Sequence, residues 1–471
     1  MIEGFLQELL IRTLNPLHSV INRVDKTIKE IAVWCLYIVG FSYFIISRSP
    51  LLRGKFFVGL LHPVSTRHAL GMIMLLLIAV LTIDEPLHRI QWRRSIILSQ
   101  LLMGIGIVAI SFIHPIGDGY RLFGFQLIFI FPCLYLVWNN RADYYNMIRP
   151  IPYSIIICGM IFCVGTFMLA LKGRLVMDGT RCAGIMSNAN VFSLVGLELV
   201  LCGIYLLITE RINWGRTIIT STAIGLGIGV VVLGQMRIAI IAILTCSIVA
   251  AYYCWSHLDR KITKRFVVHA ITGLVLVVIL AEATTYLDNI NQAAIEKRSK
   301  VYAETVEETP TEPAEDTGTS TNENVDMIID RFKASNDADL SSYSSGRIRI
   351  WKNFAGELNW LGHDYNKDDA IAITGIPTLP YAHNIFLEIA YRCGVPVAII
   401  AMMYYLLCGF ICIGFLFRRS DNKQPFLIFP IICTITFALE ALLDCAVLPF
   451  FQAEALLFYI SVALVVDKNL R

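Results

Sequence analysis

A short polar stretch lies directly before a long apolar run and carries the clearest candidate for a catalytic base. In YAHNIFLEIAYRCGVP, which starts at Tyr381, the polar side chains include His383, Asn384, Glu388 and Arg392. Histidine ordinarily titrates at about pH 6.5, so an imidazole can take a proton from a hydroxyl group under physiological conditions. Glu388 and Arg392 are spaced i,i+4, which on a helix predicts a local ion pair. His383 is therefore a candidate base, and an interfacial histidine with a structural role is the alternative.

Three other stretches place arginine or asparagine next to apolar runs. GTRCAGIMSNAN contains Arg181, Asn188 and Asn190, GQMRIAII contains Arg237 in a tight turn, and SSGRIRIWKN contains Arg347, Arg349 and Trp351. A charge at membrane depth costs about 2.5 to 3.5 kcal/mol, so several cations at such positions suggest an anionic partner. The planar guanidinium group suits phosphate oxygens, which it binds through two hydrogen bonds.

These arginines also have simpler interpretations. Arg181 and Arg237 could anchor to lipid headgroups or pair with acidic residues of the last apolar runs, which are Glu440, Asp444 and Glu454. The third stretch also holds an arginine, at position 349, that is most simply an ordinary surface residue. A common site is favoured because all these stretches fall on one side of the membrane in the topology that the basic residues predict.

The composition identifies the elements that hold these residues. Of the 471 residues 56% are hydrophobic and 16% charged, and the mean hydropathy is +0.65, outside the usual range of soluble globular proteins. The net charge is only +3 and the basic residues are scattered, which gives no support for a nucleic-acid partner.

We predict an all-α polytopic membrane protein without strands. Apolar runs of roughly 17 to 23 residues give about twelve spans, near 31–47, 68–84, 95–113, 122–138, 153–171, 190–208, 217–234, 238–255, 265–283, 394–417, 425–444 and 448–466.

The Lys and Arg residues of the short loops predict that both chain ends face the cytoplasm, because such residues accumulate on that side. The candidate residues and the long connection between the ninth and tenth spans then lie outside. The predicted regions are an interfacial cytoplasmic N-terminus (1–30), transmembrane helices one to nine (31–283), an extracytoplasmic loop (284–384), and helices ten to twelve with a short cytoplasmic C-terminus (385–471). Within the loop, the acidic part 303–324 is predicted to be flexible, and short amphipathic helices are predicted from about Met327.

Metal and nucleotide chemistry have no support in the sequence. None of the thirteen cysteines falls in the long loop, and most lie in predicted spans, where packing as a small apolar residue is their usual role. No C-x-x-C pair, His/Cys spacing typical of zinc, or Walker loop is present. We therefore expect neither a metal site nor a cofactor.

Three motifs, taken in order, resemble the O-antigen ligase and polymerase superfamily of bacterial cell envelopes. They are R-x-x-G with an Asn-rich turn (Arg181, Gly184, Asn188, Asn190), G-R-x-x-[IV]-W (Gly346, Arg347, Ile350, Trp351), and H-N-x-x-L-E ending in Gly (His383, Asn384, Leu387, Glu388, Gly394). About twelve spans with a long outer loop between the ninth and tenth also match. The departures are Asn188-Ala189-Asn190 in place of Asn-Pro-Asn, Met236 where serine is common, and Gly362-His363-Asp364 in place of Gly-x-Gly. The last departure makes His363 a second candidate base.

The resemblance implies a GT-C-like enzyme of the bacterial cytoplasmic membrane with an outward-facing active site. Such an enzyme transfers a glycan from a polyprenyl-diphosphate donor to a hydroxyl acceptor, without a metal and with inversion at the anomeric carbon. By the same resemblance, Arg181, Arg237 and Arg347 bind the diphosphate and His383 is the base. The residues expected to support them are Asn188, Asn190, Trp351, Asn384 and Glu388. The expected partners are the lipid-linked donor, the acceptor and membrane lipids.

The resemblance leaves three reactions open. A polymerase joins repeat units, a ligase attaches the polymer to lipid A-core, and a third kind modifies Ser or Thr of proteins. We favour the polymerase, with the ligase close behind, and the short segment after the last predicted span disfavours the protein-directed reaction. A lipid-linked oligosaccharide transporter or flippase is the alternative from another class. Against it, transporters often carry charges near the midplane on two related halves, and no internal repeat is visible here.

Overall fold

The computed structural model is helical along most of the part of the chain that it describes. That part comprises residues 2–49, 64–141, 143–178, 181–186, 188–210, 213–257, 286–305, 347–374, 381–417, 424–443, 448–449 and 452–470, with single residues and pairs between 271 and 283. The helices are α1 (Ile2–Ile21), α2 (Lys26–Arg48), α3 (Val64–Leu81), α4 (Arg94–Ile113), α5 (Gly119–Asn139), α6 (Tyr144–Ile148), α7 (Pro150–Ala170), α8 (Ala189–Thr209), α9 (Trp214–Gly234), α10 (Arg237–His257), α11 (Leu287–Thr305), α12 (Arg347–Gly356), α13 (Lys367–Thr374), α14 (Ile385–Cys393), α15 (Val395–Phe417), α16 (Ile428–Leu443) and α17 (Ala453–Val466).

The helices confirm the predicted fold class. Among the described residues, nine helices are long and apolar enough to cross a membrane, and two shorter apolar helices, Thr66–Leu81 and Ala453–Val466, accompany them. The chain is therefore an all-α polytopic membrane protein. The predicted number of twelve spans is not confirmed, because the ninth of them, 265–283, lies largely outside the described residues.

The structure also differs from the prediction in the connections. Strands β1 (Val176–Asp178) and β2 (Arg181–Gly184) form an antiparallel hairpin where no strand was expected, because a few residues with no alternating pattern carry no strand signal. Helix α11 is a further addition within the predicted outer loop. Helices α12 and α13 confirm the expected short helices, and most of the acidic part 303–324 lies outside the described residues.

Helices α8 and α9 pack closely as an antiparallel hairpin. A Cβ atom on Gly196 would lie 2.6 Å from the carbonyl oxygen of Gly227, and one on Gly234 would lie 2.8 Å from that of Ala189. No side chain fits at such distances, so the two backbones meet directly. Since Ala189 begins α8 and Gly234 ends α9, the start of α8 lies beside the end of α9.

Helices α10 and α16 also run antiparallel, as two contacts along their length indicate. The Sγ of Cys246 lies 3.7 Å from the Oγ1 of Thr436, and the Tyr253 hydroxyl donates to the carbonyl of Gln424, just before α16, at 2.9 Å. The start of α10 is therefore level with the end of α16. Arg237 and Leu443, at these two termini, thus belong to the same end of the helix bundle.

A tight turn fastens the segment after α12 to the junction of α14 and α15. Gly362 has a φ of +78°, and a Cβ on it would lie 2.3 Å from the carbonyl oxygen of Arg392 and 2.8 Å from the amide nitrogen of Gly394. The side-chain oxygen of Asn359 accepts from the backbone amide of Gly362. The backbone carbonyl of Asn359 accepts from the backbone amide of Val395 at 3.0 Å. Glycine is required at position 362 both by its conformation and by the approach of two backbones.

Replacing Gly362 with alanine should therefore destabilise the protein. The new methyl group meets backbone atoms that cannot move aside without disturbing α14, and the left-handed conformation adds strain, so a cost of about 1 to 3 kcal/mol is expected. The midpoint of thermal unfolding in detergent should fall. Gly409→Ala is the matched control, because nothing lies within 4 Å of its Cβ position in α15. Equal midpoints for the two variants would contradict this account of the turn.

Candidate functional site

The first motif folds into the β1–β2 hairpin and the start of α8. Arg181 is the first residue of β2 and pairs with Asp178 in the hairpin register. Its Nη1 donates to the Oδ1 of Asn190 at 2.8 Å. Asn188 caps α8, and its Oδ1 accepts from the amide of Asn190 at 2.6 Å. The two asparagines thus hold different groups, one the helix terminus and the other the guanidinium of Arg181.

Gly184 allows this hairpin to lie against α8. Its φ is +61°, and a Cβ on it would lie 2.3 Å from the ring of Phe192, which is fully buried. The ring occupies the space of the missing side chain. Asn190, the partner of Arg181, lies two residues before Phe192 on α8. The contact between Gly184 and Phe192 therefore helps to fix the distance between the hairpin and the helix.

Arg237 is the first residue of α10 and follows a turn of only two residues. Gln235 ends α9 in the left-handed conformation, with a φ of +52°, and Met236 is buried. This confirms the tight turn predicted for this stretch. Because Gly234 lies against Ala189, Arg237 and the Arg181–Asn190 pair belong to the same end of the α8–α10 assembly.

The second motif lies on α12, which packs against the third. Arg347 and Trp351 are four residues apart and therefore share a face of the helix. The indole Nε1 of Trp351 donates to the backbone carbonyl of His383 at 3.3 Å. A small core beneath the helix contains Ile350, Phe354, Ala382 and Tyr391. Arg349 is exposed, as expected for a surface residue.

His383 is held in an unusual backbone conformation at the start of α14. Its φ is +50°, in the left-handed region that residues other than glycine seldom adopt. The next residue, Asn384, caps α14 by accepting from the amides of Phe386 and Leu387, and its Nδ2 donates to the carbonyl of Leu442 at 3.2 Å. The last contact connects the third motif to the end of α16. His383 therefore lies at the same end of the bundle as Arg237.

Glu388 and Arg392 form the predicted i,i+4 ion pair, and the pair is buried. The side chains are 2% and 5% exposed, and the Nε of Arg392 lies 2.5 Å from the Oε1 of Glu388. The other carboxylate oxygen, Oε2, accepts from the amide of Ala382 at 2.9 Å. Burial alone lowers the pKa of Arg392, but the carboxylate of Glu388 more than offsets this, so the net shift is upward. Arg392 therefore remains charged at physiological pH.

Two aromatic rings and a carbonyl group complete the surroundings of Arg392. Its guanidinium carbon lies 3.6 Å from the ring centroid of Tyr365 and 4.8 Å from that of Tyr120. Its Nη1 donates to the carbonyl of Ile116 at 3.3 Å. Sequence reasoning missed Tyr120, Tyr365 and Ile116. Their contacts with Arg392 join parts of the chain far apart in sequence, and no local pattern marks them.

The second candidate base, His363, is part of the turn around Gly362. Its Nε2 donates to the carbonyl of Glu357 at 2.5 Å, and its ring stacks on Tyr391 with the centroids 4.6 Å apart. Its backbone amide donates to the carbonyl of Tyr391 at 2.9 Å. These contacts are those of a structural histidine.

Two of the three acidic residues considered as alternative partners of Arg181 and Arg237 lie in the described part of the chain. Glu440 and Glu454 are both buried, whereas Asp444 lies outside the described residues. Within the described ranges, no three His, Cys, Asp or Glu side chains are grouped so that they could hold a metal ion. Gly346, the first residue of the second motif, also lies outside the described residues.

Comparison with protein families supports the motifs. A family model described as O-antigen ligase matches residues 222–402, which is less than half of the chain. The match includes Arg237, Arg347 and His383, while Arg181 precedes it. A search of curated proteins finds no match. The resemblance to this superfamily is thus confirmed over residues 222–402, which contain the second and third motifs, while the first motif precedes the matched region.

Proposed function

We propose that the chain is a membrane glycosyltransferase that transfers a glycan from a polyprenyl diphosphate to a hydroxyl group. The observation that carries the proposal is the position of Arg181, Arg237 and His383 at one end of the helix bundle. Arg347 lies on the same face of α12 as Trp351. Since the indole of Trp351 donates to the backbone carbonyl of His383, this face of the helix is close to His383. The family match supports an enzyme of the ligase and polymerase type.

The arginines suit the charge that develops during the reaction. As the glycan leaves the lipid diphosphate, negative charge grows on the phosphate oxygens, and groups already in position stabilise it most effectively. Arg181 is oriented by Asn190, and Arg237 is the first residue of α10. Guanidinium groups can thus take the part that a divalent cation plays elsewhere, which makes the proposed reaction metal-independent.

His383 is proposed as the base that accepts the proton of the acceptor hydroxyl. Hydrogen bonds of Ala382 and Asn384 hold the backbone on both sides of His383, so the position of its Cα and the direction of its Cα–Cβ bond are defined. If the attack comes from the face opposite to the leaving diphosphate, the anomeric centre inverts. The predicted topology places this end outside the cytoplasm, on the side where a lipid-linked donor is available after its translocation across the membrane.

Polymerisation of surface polysaccharide repeat units remains the favoured reaction, with ligation to lipid A-core as the alternative. The two differ in the acceptor, because the polymerase uses a second lipid-linked glycan and the ligase uses a lipid A-core hydroxyl. Incubating the purified protein in proteoliposomes with lipid-linked repeat units alone separates them. Chains of increasing length are expected from a polymerase, and none from a ligase.

Replacing Arg181, Arg237 or Arg347 with alanine should lower the transfer rate by about 10²- to 10³-fold, the usual effect of removing one group that stabilises transition-state charge. Lysine should restore only part of the rate, since its ammonium group cannot form the paired hydrogen bonds of guanidinium. The measurement is the initial rate of glycan transfer by purified variants in proteoliposomes.

The control for Arg347 is Arg349→Ala, which removes an exposed arginine from the same helix and should leave the rate within about twofold. The wild-type rate should also persist in excess EDTA. A normal rate in Arg237→Ala would remove this residue from the site, and a loss in EDTA that Mg²⁺ restores would contradict the metal-independent mechanism.

His383→Ala should lower turnover by about 10²- to 10⁴-fold, the usual contribution of general acid-base catalysis, while the lipid-linked donor still binds. The wild-type rate should fall at acidic pH, because a protonated imidazole has no lone pair to accept a proton, and this acid limb should be absent from the residual activity of His383→Gln. Rates from pH 5 to pH 9 and donor binding provide the measurement.

His363→Ala is the comparison for this experiment. His363 contacts the turn around Gly362, so its loss should reduce stability more than turnover. If His363→Ala is inactive although folded, and His383→Ala is active, the base has been assigned to the wrong histidine.

A further inference from the structure

We propose that Arg392 is a positioning residue for His383, acting through Glu388 and the backbone amide of Ala382. The inference rests on the proposed function, because it takes His383 as the base. Arg392 is a buried cation that is not part of the proposed diphosphate site.

The guanidinium group of Arg392 is fixed from three directions. Its guanidinium carbon lies close to the rings of Tyr365 and Tyr120, and cation–π contacts of this kind are strongest where water is excluded. The Nη1 donates to the carbonyl of Ile116. None of these contacts involves α14, so Arg392 is held by parts of the chain other than its own helix.

Glu388 transmits this position to the residue before His383. One carboxylate oxygen accepts from the Nε of Arg392 and the other from the amide of Ala382. Ala382 is fully buried, so its peptide group has little freedom to adopt another orientation. His383 follows with a φ of +50°, a conformation that persists only where the surroundings impose it.

The contacts require an arginine at position 392. The Nε and the Nη1 donate to two different acceptors, Glu388 and Ile116, while the guanidinium group also contacts two aromatic rings. A lysine ammonium supplies charge but neither the plane nor the fork. Arg392→Lys should therefore retain the charge and the fold but hold Glu388 less rigidly.

The arrangement also connects the base to the turn between α4 and α5. His114 and Asp364 are 2.8 Å apart, and the amide of Tyr365 donates to the carbonyl of Pro115 at 3.0 Å. The turn that supplies the carbonyl of Ile116 is thus bonded to the segment that supplies the ring of Tyr365. Together they form the surroundings of Arg392.

A double-mutant cycle tests the inference. Arg392→Lys and His383→Ala are made singly and together, and the single-turnover transfer rate and the dissociation constant of the lipid-linked donor are measured. Arg392→Lys should lower the rate by about tenfold or more in the wild-type background but by less than about twofold in the His383→Ala background, because residues that act as a unit are strongly non-additive. Donor binding should stay within about twofold.

A merely structural role for Arg392 predicts the same fractional loss in both backgrounds, and that result would overturn the inference. A wild-type rate in Arg392→Lys would also overturn it. Arg392→Gln should show the same pattern more strongly, but it leaves the Glu388 carboxylate buried without its cation and could fail to fold, so Arg392→Lys is the deciding variant. Arg349→Lys serves as the surface control. Full activity of His383→Ala would instead reject the proposed function, which keeps the two failures distinguishable.

Discussion

The buried ion pair between Glu388 and Arg392 is the interaction on which this end of the molecule depends. Removing one member of such a pair usually costs about 3 to 5 kcal/mol, because the other charge stays buried without compensation, whereas replacing both by apolar residues is often neutral. Stability alone therefore does not explain a charged pair at this place. The contacts of the pair explain it, because the pair contacts the turn before α5, the segment after α12 and the peptide group before His383.

The arginine side of the candidate site is organised differently. The guanidinium of Arg181 donates to Asn190, and its hairpin is positioned by a glycine that accommodates the ring of Phe192. Arg237 depends on the two-residue turn after α9. Arg181 and Arg237 are only partly buried, whereas Arg392 is buried. This difference suits the proposed roles, because a group that binds a substrate must remain accessible and one that positions a base must not move.

The sequence alone predicts most of the helices and several local features of the site. Long apolar runs mark the spans, the i,i+4 spacing predicts the pair of Glu388 and Arg392, and GQMR predicts the tight turn before α10. Asn188 and Asn384 precede apolar runs, and both are N-caps in the structure. Each of these signals is local, so neighbouring residues are sufficient to produce it.

What the sequence does not predict depends on distant contacts. The strands of the hairpin are too short to carry a periodic pattern, and the left-handed conformation of His383 is imposed by its surroundings. Tyr120 and Tyr365 look like ordinary aromatic residues until the fold brings them to Arg392. Gly362 lies in a segment that departs from the family pattern, yet the structure requires glycine there because two backbones meet.

An experimental structure with a non-hydrolysable lipid-diphosphate glycan bound would test the proposed mechanism most directly. Phosphate oxygens are expected within hydrogen-bonding distance of Arg181 and Arg237, about 2.7 to 3.2 Å, with the imidazole of His383 facing the anomeric carbon and the Glu388–Arg392 pair intact. A diphosphate bound elsewhere on the protein, or a His383 ring directed away from the glycan, would contradict it.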